Sequence, residues 1–171
     1  MADLSPVFAP AAPEGASVNL ACFAVQGQIY ALEVEHLREI VRAQAITPLP
    51  DGPALIEGVV DLRGAVIPVV DLARCLGLAS SEHSSRSRIV IVEYAGLALG
   101  LGVDAATDVI ALASERLEAV PALATRAGYR SVTHIVRREG EPPVMLISLE
   151  SLVETVAGSS TKPRGGAGGS R

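Results

Sequence analysis

The sequence predicts a mainly β fold: two similar five-stranded barrels packed on a shared apolar core, with short helices that include one near the C-terminus. Three observations lead there. The 171-residue chain is 49% hydrophobic but only 3% aromatic, so its core must come from Val, Leu, Ile and Ala, a composition that favours sheet. Its apolar segments are short and punctuated by single glycines, as hairpins are. And those segments occur twice, in the same order, about seventy positions apart.

The elements follow in chain order. Residues 1–17 are rich in Ala, Pro and Ser and read as a disordered tail. LACFAVQGQIYAL (20–32) is a hairpin turning at Gly27, and IVIVEYAGLALGL (89–101) is its copy turning at Gly96. The match runs on without gaps: Glu35 falls on Asp104, Glu39 on Asp108, Ile40 on Val109 and Val41 on Ile110. GVVDLRGAVIPVVDLARCLG (58–77) reads as strand, turn at Asp61–Gly64, strand and short helix. THIVRREGEPPVMLISLESLVETV (133–156) repeats that order around Glu139–Glu141. Asp71 and Ser148 stand at helix N-cap positions, and Gly77 and Gly158 where helices stop. Pro-bearing connectors, ITPLPDGP and LEAVPAL, precede both hairpins. The polar stretch 79–88 divides two pseudo-repeated halves of one domain, 18–157, and the Gly/Ser-rich 158–171 reads as a second disordered tail. Two five-stranded copies satisfy the need of a small barrel to hide its edges.

Composition excludes several functions. The net charge of −5 and a single lysine, Lys162, leave no basic footprint for nucleic acid. No apolar run approaches the ~20 residues that cross a bilayer, and Met1–Ala16 lacks the features of a signal peptide. A cytoplasmic protein without direct membrane insertion is expected. Cys22 and Cys75 sit apart in apolar stretches and read as core thiols of a reducing compartment. His36, His83 and His134 lack ligand spacing, and there is no nucleophile elbow, HExxH or phosphate loop. Gly96–Gly102 marks close backbone approach or a barrel bend rather than a dinucleotide fingerprint. No catalytic residue, metal or cofactor is therefore expected, and the chain is not read as an enzyme.

Two stretches draw the eye as recognition surfaces. In EGVVDLRGAVIPVVDL (57–72), Asp61 and Arg63 interrupt an apolar run between Gly58 and Gly64, and a hairpin tip would project them into solvent. A rigidly displayed guanidinium suits recognition, and a solvated Asp–Arg pair worth under ~1 kcal/mol explains the pattern as well. In His36–Ile40 charges alternate with apolar residues, as on a half-exposed edge where Glu39 is free to meet a partner's arginine or only water.

These segments together resemble the CheW-like chemotaxis adaptor family. The run 57–72 is similar to its Asn-Leu-Arg-Gly turn followed by PVVDL, and FAVQGQIYALEVEHLREI (23–40) and GLALGLGVDAATDVI (96–110) to its opening units. The resemblance spans roughly 18–156. It implies SH3-like barrels and a scaffold that couples chemoreceptors to a CheA-type sensor histidine kinase in a chemosensory array, as a two-component signalling partner without chemistry of its own. It implies two partners, the regulatory domain of the kinase and the cytoplasmic tip of the receptors. The protein would be a monomer in isolation, localised to cytoplasmic arrays of membrane-bound or soluble receptors. It places partner binding at Leu37, Glu39, Ile40, Gly58, Asp61, Arg63, Gly64 and Val109, without dividing them between receptor and kinase. Asp61 replaces the family's usual Asn, Ser148 stands where Asp is frequent, and Arg137–Arg138 precede an unusual Glu-Gly-Glu-Pro-Pro turn. These departures suggest a specialised, non-flagellar pathway, or a regulator that occupies kinase or array positions without receptor coupling. A small-molecule site in the seam between barrels is the third reading.

Overall fold

The computed structural model describes residues 16–80, 82–121 and 131–159. The first half supplies β1 (Ser17–Val25), β2 (Gln28–Glu33), β3 (Leu37–Arg42), β4 (Ile56–Leu62), β5 (Ala65–Asp71) and helix α1 (Leu72–Cys75). The second supplies β6 (Arg88–Tyr94), β7 (Leu97–Val103), β8 (Ala105–Ala113), the two-residue β9 (Glu118–Ala119), β10 (Val132–Arg138), β11 (Glu141–Ile147) and helix α2 (Leu149–Ala157). Single 3-10 turns, Val34–His36 and Ser114–Arg116, follow β2 and β8. The mainly β architecture and the C-terminal helix are as expected. β1 starts at Ser17, inside the segment read as a tail, and the Ala16 carbonyl accepts from Ser114 N–H. The remainder of that segment, and most of 158–171, lie outside the described residues.

The two sheets do not correspond to the two halves. One has the order β8-β1-β2-β11-β10-β9 and the other β3-β6-β7-β5-β4. Each therefore joins strands of both copies. The opening hairpin of the first half pairs with β8 and β11 of the second, and the opening hairpin of the second pairs with β3 and β5 of the first. A single pseudo-repeat operation relates the two arrangements, including one parallel pairing in each, β2–β11 and β5–β7. The chain is duplicated, and its halves exchange hairpins.

Strand alternation divides the apolar residues among three clusters. In β1, Leu20 and Cys22 point into the six-stranded barrel, and Phe23 and Val25 point out of it. In β6, Ile89 and Ile91 line the five-stranded barrel, and Val90 and Val92 point outward. The two outward faces meet in the largest cluster, joined by Leu72, Leu149 and Leu152 of the helices. This is the shared core, and each fully buried aliphatic in it contributes about 1.5–3 kcal/mol. On β10, Val132 faces the shared core and Val136 the barrel interior despite their even spacing, because the register slips between Val132 and His134.

Local chemistry fixes the ends. Gln26–Gly27, Arg63–Gly64 and Ala95–Gly96 are two-residue turns with positive φ at both positions, the geometry that matches hairpin twist. Asp71 Oδ1 accepts from Arg74 N–H at 3.3 Å and Ser148 Oγ from Ser151 N–H at 3.3 Å, so both expected N-caps are made. Gly100 faces the barrel interior, where a Cβ would lie 2.8 Å from Ile89 Cγ2. Its missing side chain leaves room for the Ile89, Ile91 and Val69 cluster. Pro142 and Pro143 occupy the exposed start of β11, before its pairing with β2 begins at Val144.

Candidate functional site

The free end of the five-stranded barrel gathers most of the residues singled out in the sequence. β3 and β4 are its two edge strands, and the sheet is closed across them by the connector rather than by a direct ladder. Thr47 and Val59 exchange both backbone hydrogen bonds at 2.8 Å, and Gln44 Nε2 donates to the Asp61 carbonyl at 3.4 Å. Gly58 sits under this bridge. A Cβ there would run into the Thr47 carbonyl oxygen and come within 2.7 Å of Ile46 Cγ2, so Gly58 is required by backbone approach.

Beyond the bridge, the β4–β5 hairpin presents Arg63 at φ +53°, a left-handed conformation that non-glycine residues rarely adopt. Gly64 follows at φ +84° with open space around it. Asp61 Oδ1 accepts from Gly64 N–H at 3.0 Å and so braces the turn. Asp61 thus serves the backbone, and the arginine has a different partner: Arg63 Nη2 donates to Glu39 Oε2 at 2.9 Å. Glu39 stands opposite Ile91, an interior residue, so its carboxylate lies at the barrel mouth. Its side chain is 29% exposed and that of Arg63 is 78% exposed. The pair spans the gap between the edge strands above a shallow groove of about 370 Å³ lined by Arg38, Glu39, Leu62, Arg63, Ile67 and Ile91. One end of the bridge is anchored, and the other is offered to solvent.

Ile40, 40% exposed, projects from β3 between Arg38 and Arg42. Arg38 Nε meets Glu93 Oε2 at 2.7 Å. Leu37 is half-buried against the shared core. The structure therefore brings Glu39, Ile40, Asp61, Arg63 and Gly64 to one end of one barrel, with Gly58 beneath and Leu37 behind. Val109 is not among them: it lies on β8 of the other sheet, 57% exposed.

Two residues that the sequence reading passed over belong to the same end. Val66 and Leu97 are exposed near the starts of the parallel strands β5 and β7. The available signal was an aliphatic residue just past a hairpin tip, where a polar one is usual. The apolar residues that line the groove with the arginine are Leu62, Ala65, Ile67 and Ile91.

The other titratable groups have ordinary structural explanations. The Cys22 and Cys75 thiols are buried, which pushes both up to about 12. His83 Nε2 lies 3.3 Å from Glu57 Oε1 and is otherwise exposed. His134 contacts Thr133 Oγ1, and His36 packs edge-on against Tyr94. Glu33, Glu35 and His36 bring one ligand-type atom each within 4.8 Å of one another. The Glu33 carboxyl is raised, first by its hydrogen bond with Glu35 and then by burial. This group at the crossover from β2 to β3 was not evident from the histidine spacing.

Comparison with known proteins bears on the whole described fold. The family model for the CheW-like domain matches residues 19–157. The chain is similar to the chemotaxis protein CheW of Bacillus subtilis, 35% identical over 117 residues, covering 68% of this chain and 75% of that protein. It is 30% identical over 134 residues to the chemotaxis protein CheW of Rhizobium meliloti, covering 78% and 86%. Among solved structures, the scaffolding protein TtCheW from Thermoanaerobacter tengcongensis superposes with a TM-score of 0.73 at 32% identity, covering 81% of this chain and 94% of that one.

Proposed function

Since the chain belongs to the CheW-like domain family, we propose that it is a non-enzymatic scaffold coupling chemoreceptors to a CheA-type histidine kinase, and that the Ile40–Arg63 end of the five-stranded barrel is a docking face. The observation that carries this reading is the way Arg63 is held. A bulky side chain stands in a left-handed turn position that favours Asn or Gly, on a turn braced by Asp61 and clasped by Glu39, with most of the side chain still exposed. Such an arrangement fixes a planar five-donor group over a groove that mixes Leu62, Ile67 and Ile91 with Arg38 and Glu39, the mixed composition of a transient signalling interface.

In this reading the protein contributes position and no chemistry. One surface meets the regulatory domain of the kinase, another the cytoplasmic tip of the receptors. No helix among the described residues is long and apolar enough to cross a membrane, in keeping with a cytoplasmic partner of receptor arrays. The unusual turn at Glu139–Gly140, with Arg138 bound to Glu141 Oε2 at 2.9 Å, supports a second reading: a regulator that binds the kinase or the array without receptors.

Calorimetric titration of the purified chain with the regulatory domain of a CheA-type kinase, and separately with a receptor-tip fragment from the same organism, tests both. Micromolar binding to each supports coupling. Binding to the kinase domain alone favours the regulator. Binding to neither removes the scaffold function and leaves only the fold.

A further inference from the structure

The chain passes from β2 in one sheet to β3 in the other through the 3-10 turn Val34–His36, and the crossover reads Glu33-Val34-Glu35-His36. Alternation at the strand end sets Glu33 and Glu35 on one side, and the turn brings His36 to them, with one ligand-type atom of each within 4.8 Å of the others. Glu35 Oε1 stands 3.5 Å from His36 Nε2, and Glu33 shares a hydrogen bond with Glu35. Two carboxyl groups in such contact repel when both are charged, so they call for a proton or a cation between them. Glu33 and His36 also line a cleft of about 310 Å³ with a second imidazole, His134 of β10. His134 contacts Thr133 Oγ1 through Nδ1 at 3.0 Å, which leaves Nε2 for a ligand.

The duplication supplies an internal control. The positions of the second half that match Glu33, Glu35 and His36 are Gly102, Asp104 and Ala105. Asp104 has a structural duty, because its Oδ2 accepts from Gln26 N–H at 2.7 Å and braces the β1–β2 turn. Glu35 turns instead to Glu33 and His36. Two carboxylates and an imidazole are therefore brought together at a place where the same fold is built without them. A mixed oxygen and nitrogen set of this kind suits zinc and its neighbours in the first transition row, whereas magnesium and calcium prefer oxygen alone.

We infer that Glu33, Glu35 and His36 form a site for a divalent transition-metal ion of the zinc type, with the remaining position open to His134 or water. Zinc ligands lie about 2.0–2.2 Å from the ion, so tetrahedral neighbours stand about 3.3 Å apart and these side chains need to close by at most about 1.5 Å. The Glu35 side chain, 70% exposed, is free to make that movement. Occupancy would join the end of β2 to the turn that enters β3 and so clamp the crossover between the sheets.

Zinc chloride alone, titrated calorimetrically into the tag-free full chain at about pH 7.5, should bind one ion per chain with a dissociation constant of about 50 µM or tighter. Glu35→Gln and His36→Gln should each weaken it about tenfold or more, and His83→Gln, which removes an imidazole from another part of the surface, should leave it within about twofold. Without zinc, Glu35→Gln should melt within about 2 °C of the wild type, which verifies the fold. Zinc at about a hundred times its dissociation constant should raise the wild-type melting temperature by about 5–10 °C and, at the same concentration, that of Glu35→Gln by about half as much. Weaker wild-type binding, unchanged affinity in either ligand variant, or a loss that follows His83→Gln instead overturns the site. Neither scaffold partner takes part in these measurements, so each result leaves the scaffold reading where it stands.

Discussion

Replacing Arg63 separates its role in the fold from its role at the surface. Arg63→Ala deletes one exposed ion pair, with Glu39 at 2.9 Å, and exposed pairs are worth about 0.2–1 kcal/mol. For a chain of this size 1 kcal/mol corresponds to about 2–4 °C, so the melting temperature should fall by no more than about 4 °C. Alanine leaves the left-handed strain at φ +53° in place. Arg63→Asn removes the same ion pair but suits that conformation, recovering up to about 1 kcal/mol. The Arg63→Asn protein should therefore melt about 2–4 °C above the Arg63→Ala protein. Both variants lose the guanidinium, and a charge-assisted contact of about 1.5–3 kcal/mol predicts a loss of roughly ten- to hundredfold in affinity for the partner at this end. Scanning fluorimetry and calorimetric titration read the two quantities separately. A fall in melting temperature beyond about 8 °C for Arg63→Ala would show the pair to be structural. Unchanged affinity for both partners would refute the docking role outright.

Three further outcomes follow from the same structure. Gly58→Ala should cost more than about 3 kcal/mol by calorimetry, because its Cβ collides with the Thr47 backbone, whereas Gly64→Ala, strained at φ +84° but unobstructed, should cost about 1–2 kcal/mol. Cys22 and Cys75 should resist a thiol reagent at pH 8 until the protein unfolds, since burial keeps both protonated. The unfolded thiols release their protons near 9.0 and the native ones only near 12, so this part of the stability is complete below pH 9. It should fall by about 1.4 kcal/mol per pH unit per thiol above that, visible as a steepening loss of melting temperature, and a flat profile would contradict it. Ser148→Ala should lower stability by about 0.5–2 kcal/mol through loss of the α2 cap, with Ser148→Asp restoring it.

What the sequence made legible was local. Turn glycines at 27, 64 and 96 and the caps Asp71 and Ser148 each obey chemistry confined to a few neighbouring residues, whereas Gly100, read as a close backbone approach or a barrel bend, is instead crowded by the Ile89 and Val69 side chains of other strands. The duplication was legible too, because it is written as a shift along the chain. Which copy pairs with which was not: β1–β2 find β8 and β11, a choice between equivalent strands that periodicity cannot rank. The Glu39–Arg63 pair joins residues 24 positions apart whose spacing carries no signature, so Asp61, nearer in sequence, stood as the plausible partner. Arg138 was noticed only as an oddity. Its role in tying Asp108 to Glu141 depends on the fold bringing β8 beneath the β10–β11 turn.

The exchange of hairpins bears on what a fragment of this chain can do. Neither half contains a complete sheet, so a chain cut within 82–87 should yield two pieces that fold only on meeting, and a truncated half should remain unstructured. One unit of the duplication, synthesised alone, would satisfy its pairings only by trading hairpins with a twin. The present polypeptide is such a twin pair joined end to end. Fusion removes the concentration dependence of that assembly and frees the two ends to diverge, one keeping an outstretched arginine and the other folding its arginine away.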